Sequence, residues 1–339
     1  MFKGKLSTRR HAVAAWPALA LAAAASLASP WFAASAYADE PWPAQTVRIV
    51  VGYPAGTSPD LVARVISEPL AKALGRVVII DNKPGASGNL GVDAVVKSTD
   101  GYTFGLTTNG PLTTSKALFA KLPYDPAKDI KPLSLAATSP MVLVSDIKLP
   151  ATNLAEFLAY AKQQQGGISY GSIGVGSGSH LTMEMFAGQA NMPTVHIPYQ
   201  GFPQVTTAII GEQIQAGFMA PSGALVQARA NKVRILGVSS QARSSLVPDV
   251  PTIAEAASLP GFRAELWIAA FGPASMPDAV AARLASEINR ILLTAEVRQK
   301  LLDQGWQSVG AGPEQLRTRI TQDTVLWSNV IQKAGIRPE

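Results

Sequence analysis

The sequence has 339 residues, 47% of them hydrophobic, and a formal net charge of +6 at pH 7. It contains no cysteine, which excludes disulfide bonds and thiolate chemistry. The first 38 residues carry four of the 29 Lys and Arg residues and none of the 23 Asp and Glu residues. Without them the net charge falls to +2, so the basicity of the chain is no argument for binding to nucleic acid.

The N-terminus has the features of a cleavable export signal. Four cations precede an alanine-rich apolar run over residues 12–28: Lys3, Lys5, Arg9 and Arg10. Ala36-Tyr37-Ala38 then has the small-x-small pattern that signal peptidase cleaves. Residues 7–10 also resemble a twin-arginine motif, so both the Sec and the twin-arginine routes stay open. We predict cleavage after Ala38 and a periplasmic mature protein of 301 residues.

Strand-like and helix-like segments alternate after the signal, which is typical of an α/β protein. Apolar or β-branched runs predict strands at 47–51, 77–80, 104–108 and 141–144. A helix is predicted from about Asp60, with Ser58 as its N-cap and Pro59 in its first turn. Pro69 falls inside this helical pattern and predicts a kink or break near Glu68.

The rest of the chain repeats the alternation. A helix follows a capping pattern at Asn153, and further strands are predicted at 168–170, 194–197, 233–238 and 265–268. The last part reads as helices without strands of their own. About 300 residues suit two lobes better than one core. We predict that residues 39–142 and 266–339 form lobe 1 and that 143–265 form lobe 2, with the crossings near 141–144 and 266–271.

Three glycine-rich loops, at 53–60, 82–89 and 171–180, each follow a predicted strand and open onto a helix. A helix N-terminus presents unpaired N–H groups and the positive end of the helix dipole, so it attracts an anion without a basic side chain. For any single loop an ordinary turn is the alternative, but three of them in one chain favour an anion site. Hydroxyl groups add neutral donors: Thr57, Ser58, Ser87, Ser177 and Ser179.

Stricter enzyme signatures are missing from the sequence, which has neither a G-x-S-x-G elbow nor a phosphate-binding P-loop. After the signal only His180 and His196 remain, without metal-ligand spacing, so we predict no catalysis, no metal and no cofactor. His180, beside the third loop, is a candidate ligand contact. Trp267 is either a core residue or a pocket wall, and Asp60 either stabilises a helix N-terminus or contacts ligand.

A further set of segments, spread over nearly the whole chain after the signal, carries a family likeness: 47–60, 78–88, 100–103, 170–172, 179–181, 196–201, 248–255 and Trp267. In these segments, and in their order, the chain resembles the Bug-type, TctC-like receptors of tripartite tricarboxylate transporters. The resemblance implies a two-lobe periplasmic-binding-protein fold of the Venus-flytrap type, with two crossing strands between the lobes. It also implies a carboxylate ligand and no catalysis.

The resemblance also implies which residues hold that ligand. Backbone amides and hydroxyls of the first two loops would bind the carboxylate: Ala55, Gly56, Thr57, Ser58, Ala86, Ser87 and Gly88. The family usually has Gly at Ala55 and Lys at Gln200, so a highly charged ligand such as citrate is disfavoured. The remaining candidates would wall the pocket for an apolar or aromatic acid or contact it from the second lobe: Tyr53, Ser179, His180, Tyr199, Gln200, Phe218 and Trp267.

We therefore predict a periplasmic solute-binding protein that closes around a small aliphatic or aromatic mono- or dicarboxylate. It is expected to act as a monomer and to deliver the acid to integral-membrane transporter subunits, without contact to nucleic acid. Two alternatives stay open. One is a periplasmic ligand-sensing module for a membrane kinase, and the other is a secreted hydrolase, which would need an acid–base or nucleophile constellation that the sequence does not show.

Overall fold

The computed structural model describes residues 42–337. The predicted signal peptide and its cleavage site after Ala38 lie outside the described residues. From Pro43 onward the chain belongs to one unit, in which two mixed β-sheets are covered by helices. A search of the described residues finds no helix with the length and apolar character needed to cross a membrane.

The strands of this part of the chain are, in order, β1 (Val47–Val51), β2 (Val78–Asn82), β3 (Thr103–Thr108), β4 (Ile130–Pro140), β5 (Val142–Asp146), β6 (Ile168–Ser172), β7 (Thr194–Pro198), β8 (Ala216–Met219), β9 (Val233–Val238), β10 (Glu265–Pro273) and β11 (Gln307–Ala311). The helices are α1 (Ser58–Leu74), α2 (Asn89–Val96), α3 (Asn109–Thr113), α4 (Ser115–Leu118), α5 (Leu154–Gln163), α6 (Gly178–Ala190), α7 (Phe202–Ile210), α8 (Pro221–Arg229), α9 (Ile253–Ala256), α10 (Asp278–Leu292), α11 (Ala295–Asp303) and α12 (Pro313–Lys333).

The first sheet has the strand order β11-β4-β10-β3-β1-β2, and β1 runs parallel to both β2 and β3. The second sheet has the order β7-β6-β8-β5-β9, and β6 runs parallel to both its neighbours. We call the elements around these sheets the first and the second lobe. Because β1 and β2 are parallel neighbours, the loops that follow them emerge at the same sheet edge, which is where α/β sheets bind ligands.

Every predicted strand is confirmed and begins within one residue of its expected start. Three strands, β4, β8 and β11, were not predicted. The β4 sequence is rich in small and polar residues and lacks the β-branched run that marks a strand, although nearly all of it is buried. The prediction that the C-terminal helices have no strand of their own is wrong, because β11 lies between α11 and α12 and pairs with β4.

Helix α1 passes through Pro69 and ends at Leu74, so the helix does not break near Glu68, and a kink there stays a prediction. Its apolar face packs on the first sheet, and this packing outweighs the local cost of the proline, about 3 kcal/mol in a helix interior. The N-cap is Thr57, with Ser58 as the first helical residue. At α5 the predicted cap is confirmed, since the Asn153 side chain accepts a hydrogen bond from the Glu156 amide.

The two chain segments that join the lobes are fastened by one buried hydroxyl, that of Ser239. Its side chain accepts a hydrogen bond from the amide of Met141, between β4 and β5, at 2.8 Å. It donates to the carbonyl of Ala264, which directly precedes β10. The lobe boundaries remain a proposal, with β4 and β10 in the first sheet and β5 in the second.

Helix α12 belongs to the cores of both lobes. Leu316 and Ile320, in its N-terminal half, lie in the apolar core against the first sheet. Trp327, Val330 and Ile331, two to three turns further on, lie in the core of the second lobe. The helix therefore links the lobes in addition to the two crossing segments.

A buried carboxylate, Asp323, fixes α12 where it passes β10. Its Oδ2 atom accepts hydrogen bonds from Trp267 Nε1 and Arg319 Nε, both at 2.7 Å. Arg263 approaches Oδ1 at 3.4 Å, and Arg319 also donates to Glu265 at 3.2 Å. With 2% of its surface exposed, the Asp323 carboxylate needs these hydrogen-bond partners, because an unpaired buried carboxylate is costly.

We expect Asp323→Ala to lower the free energy of unfolding by about 3–5 kcal/mol, because Arg319 and the Trp267 indole lose their buried acceptor. Glu314→Ala, on the same helix but with a side chain that is 84% exposed, is the matched control and should change stability by less than about 0.5 kcal/mol. Urea denaturation of both variants measures the difference. Equal stabilities would show that the Asp323 network does not hold α12.

Candidate functional site

The loop between β1 and α1 is fastened by the fully buried carboxylate of Asp60. Oδ2 accepts hydrogen bonds from the Gly56 amide and from Arg64 Nε, each at 2.8 Å, and Oδ1 accepts one from Asn82 Nδ2 at 3.0 Å. Burial alone raises the pKa of Asp60, but these hydrogen bonds outweigh it and hold the pKa below its ordinary value. Asp60 thus ties the first loop to the end of β2, where the Asn82 amide also donates to the Tyr53 carbonyl.

The N-terminus of α1 keeps its first amides available. The Thr57 hydroxyl donates to the Pro54 carbonyl at 2.6 Å and does not cap the helix. The amides of Ser58 and Asp60, in the first turn, have no acceptor inside the helix for geometric reasons. This end therefore combines free donors with the positive end of a helix dipole, without a Lys or Arg residue between Tyr53 and Asp60.

The loop before α2 adopts left-handed backbone conformations at four successive residues, from Gly85 to Gly88. Two of them are not glycine, since Ala86 has φ 45° and Ser87 has φ 54°, so the loop is strained. The Tyr53 hydroxyl stabilises this conformation by donating to the Ser87 carbonyl at 2.8 Å. Because that bond uses the only proton of the phenol, Thr108 is the donor in the 2.7 Å contact between its hydroxyl and that of Tyr53.

Glycines allow these two loops to touch through their backbones. A Cβ atom at Gly52 would lie 2.4 Å from the carbonyl oxygen of Gly88, and one at Gly91 would lie 2.3 Å from Cα of Gly52. A Cβ atom at Gly88 would lie 2.6 Å from the Tyr53 ring. All three distances are shorter than any real contact, so side chains at these positions would force the loops apart.

A cavity of about 450 Å³ opens beside these loops and reaches both lobes. The first lobe supplies Tyr53, Ser87, Thr108, Asn109, Gly110, Thr114, Ser115, Leu118 and Phe119. The second lobe supplies Ile173, Val175, Gly176, Ser177, Gly178, Leu181 and Thr182. Strand β10 and the C-terminal region supply Glu265, Leu266, Trp327, Ile336 and Arg337.

The cavity walls differ in chemistry. Near the paired loops, the hydroxyls of Ser87 and Thr108 and the amide of Asn109 offer neutral hydrogen-bonding groups. From the second lobe, apolar side chains such as Val175 and Leu181 face the cavity. No cluster of His, Asp or Glu that could hold a metal ion occurs among residues 42–337. This arrangement can bind a small anionic group at one side and an apolar chain at the other.

The third glycine-rich loop uses its donors internally. The Ser177 hydroxyl accepts from the His180 amide, the Ser179 hydroxyl accepts from the Ile173 amide, and His180 Nδ1 accepts from the Gly176 amide at 2.9 Å. Ser179 and His180 are themselves buried. The loop therefore forms a wall of the cavity, and its helix end is capped by its own side chain.

His180 lies in a buried aromatic stack behind this wall. Its ring is 3.9 Å from that of His196, centroid to centroid, and the Tyr170 ring stacks with both, 5.0 Å from His196 and 6.4 Å from His180. Burial, with a smaller contribution from the neighbouring His196, lowers the pKa of His180 to about 4. The imidazole is therefore neutral at pH 7 and keeps Nδ1 free to accept the Gly176 amide.

The structure brings only part of the predicted site to the cavity. Among the predicted residues of the first two loops, Tyr53 and Ser87 line the cavity, and the others belong to the same loops but are not among its lining residues: Ala55, Gly56, Thr57, Ser58, Ala86 and Gly88. Tyr199 lies at a shallow surface pocket, and Gln200 is exposed. Phe218 is buried in the second-lobe core, and Trp267 is buried against Asp323.

Several lining residues were not predicted from the sequence. Thr108 is the last residue of β3, the third parallel strand of the first sheet, and Asn109 follows it, so the rule that sites lie at the carboxyl ends of such strands would have found both. Leu118 and Leu266 carry no local signal, because they read as ordinary core positions. Arg337 follows the last helix, α12, and the path of the folded chain brings it to the cavity, which no local sequence pattern indicates.

We expect Gly88→Ala to destabilise the protein by about 2–4 kcal/mol, since the methyl group would strike the Tyr53 ring and the residue has φ 93°. Gly56→Ala is the matched control, because Gly56 has φ 82° but no atom within 4 Å of the added carbon. It should cost about 1–2 kcal/mol, from the backbone conformation alone. Chemical denaturation gives both values, and equal losses would rule out the proposed clash.

We expect stability to fall as the pH is lowered from about 6.5 towards 4, because unfolded His180 takes up a proton in this range and folded His180 does not. This part of the loss should reach up to about 3 kcal/mol. His180→Gln removes it, so the free energy of unfolding of that variant should depend less on pH in this window. Denaturation curves measured across the window test this, and parallel pH profiles would contradict it.

Comparison with known proteins agrees with this fold. The model of the tripartite tricarboxylate transporter family receptor matches residues 62–336. Protein BugT of Bordetella pertussis is 31% identical over 313 residues, covering 92% of this chain and 95% of its own.

Two solved structures are similar over most of the chain. Rpa4515 of R. palustris with adipate has 29% identity and a TM-score of 0.73, covering 88% of this chain and all of that one. MatC from Rhodopseudomonas palustris with bound malate has 29% identity and a TM-score of 0.69, covering 86% and 100%. These neighbours confirm the two-lobe periplasmic-binding-protein fold. The chain therefore belongs to the tripartite tricarboxylate transporter receptor family, whose members are periplasmic solute-binding proteins and not enzymes.

Proposed function

We propose that the protein binds the ionised carboxylate of a small organic acid in the cavity between its lobes and delivers it to the membrane subunits of a tripartite tricarboxylate transporter. The observation that carries this proposal is the pair of loops after β1 and β2. The two loops meet beside the cavity, where Tyr53 and Ser87 line it, and they offer the free amides at the N-terminus of α1 and the Ser87 hydroxyl, with no Lys or Arg within residues 53–60 or 86–89.

Neutral donors favour a carboxylate over a neutral ligand. Hydrogen bonds to a charged acceptor are shorter and about twice as strong as neutral ones, so the α1 amides and the Ser87 hydroxyl gain most from an ionised acid. The occurrence of adipate and malate in two similar proteins supports the same ligand class for this chain. The apolar second-lobe wall favours acids with an aliphatic or aromatic body.

Binding is coupled to the arrangement of the lobes, since both contribute to the cavity wall. A ligand that contacts both walls stabilises the closed arrangement by the difference between its affinities for the closed and open forms. The hinge for this motion is the pair of crossing segments fastened by Ser239. We further infer that the protein reaches the periplasm through its N-terminal signal, cleaved after Ala38, and acts there as a monomer.

We expect Ser87→Gly to weaken binding of the best acid in a carboxylate panel by about tenfold to a hundredfold, through loss of one hydroxyl donor to a charged group. Glycine tolerates the left-handed backbone of Ser87, so the loop itself is preserved. Ser258→Gly is the matched control, because Ser258 is also exposed and has φ 53°, and it does not line the cavity.

Isothermal titration calorimetry of both variants, with the free acid and its methyl ester, tests the proposal. The ester of a monocarboxylate should bind far more weakly than the acid, because it carries no negative charge to strengthen its hydrogen bonds with the loop donors. Equal affinities for acid and ester, or equal effects of the two serine variants, would place the anion site elsewhere.

A further inference from the structure

The C-terminal segment after α12 forms part of the cavity wall. The helix ends at Lys333, and Gly335, with φ 66°, turns the chain back. The amide of Ile336 donates to the Ile331 carbonyl at 3.1 Å, and the Ile336 side chain packs against the second-lobe core. This turn holds Arg337 at the cavity.

The charges that line the cavity are not balanced. Among its described lining residues, Arg337 is the one cation and Glu265 the one carboxylate. Glu265 is engaged elsewhere, because Arg319 Nη1 donates to it at 3.2 Å and both side chains are largely buried. No carboxylate within residues 42–337 forms an ion pair with Arg337, so none of the described residues neutralises its positive charge.

The position of Arg337 complements the paired loops. Ser87 and Thr108 line the cavity beside those loops, whereas Arg337 enters from the far end of the last helix. The remaining lining includes apolar side chains from both lobes, such as Leu118 and Val175. A ligand with two anionic ends and a methylene chain between them has a chemical partner for each of its parts among these lining residues.

We propose that Arg337 binds the distal carboxylate of a straight-chain dicarboxylate whose other carboxylate lies at the paired loops. Arg337 then determines specificity for dicarboxylates over monocarboxylates of the same length. Its planar guanidinium suits this task, because it forms two parallel hydrogen bonds to one carboxylate. The inference rests on the proposed function and adds to it the residue that binds the second carboxylate of the ligand.

Calorimetry with matched acids tests this role, using succinate, adipate and suberate against butyrate, hexanoate and octanoate. Arg337→Gln should weaken the best dicarboxylate by about tenfold to a hundredfold and leave its monocarboxylate partner unchanged. Arg337→Lys should restore part of the lost affinity, since it keeps the charge but not the bidentate geometry. Lys333→Gln is the control: it removes a cation from the same region that does not line the cavity, and it should change neither affinity.

The outcomes separate the two proposals. If the unmodified protein binds acids but Arg337→Gln leaves the dicarboxylate affinity unchanged, or weakens both acid classes equally, the role of Arg337 is wrong and the proposed function stands. If the unmodified protein binds no acid of either class, the proposed function fails, and the role of Arg337 fails with it. Thermal unfolding of each variant confirms that a lost affinity is not a lost fold.

Discussion

The close backbone contact between the loops after β1 and β2 is the constraint on which the site depends. Gly52, Gly88 and Gly91 leave no room for a Cβ atom, so the two chain segments approach more closely than side chains would permit. Two hydrogen-bond systems lock this approach, one centred on the Asp60 carboxylate and the other on the Tyr53 hydroxyl. As a result, both loops are held in fixed positions beside the cavity, which Tyr53 and Ser87 line, and they need little rearrangement when a ligand binds.

Most of the fold could be predicted from the sequence, because the strands that carry the sheets are β-branched apolar runs flanked by glycine and proline. β4 was missed because its burial is not encoded in its own residues. It lies between β10 and β11 and is covered by helices, so small and polar residues such as Ser134 suffice there. Pro69 predicted a helix break that does not occur, because the tertiary packing of α1 outweighs the low helix propensity of proline.

The paired loops of the candidate site could also be predicted, because their glycines and hydroxyls are contiguous in sequence and follow strands. The residues by which the second lobe lines the cavity could not be predicted in this way. Phe218 is an aromatic residue that suits a pocket wall or a core equally well, and only the packing against Phe186 decides for the core. Arg337 could not be predicted for a different reason. Its position at the cavity is set by α12, which precedes it, and not by a pattern in the residues next to it in sequence.

The insertion of β10 between β3 and β4 has a consequence for how the chain folds. The second lobe separates β10 from both partners in sequence, so the centre of the first sheet closes only after a long loop is formed. The core of the second lobe is likewise incomplete until α12 has formed, because α12 supplies Trp327 to that core. Neither lobe completes its core before α12 docks, which makes the last helix the step that couples both halves into one cooperative unit. Chains that stop short of it leave apolar surface exposed in both lobes, the condition under which folding intermediates aggregate.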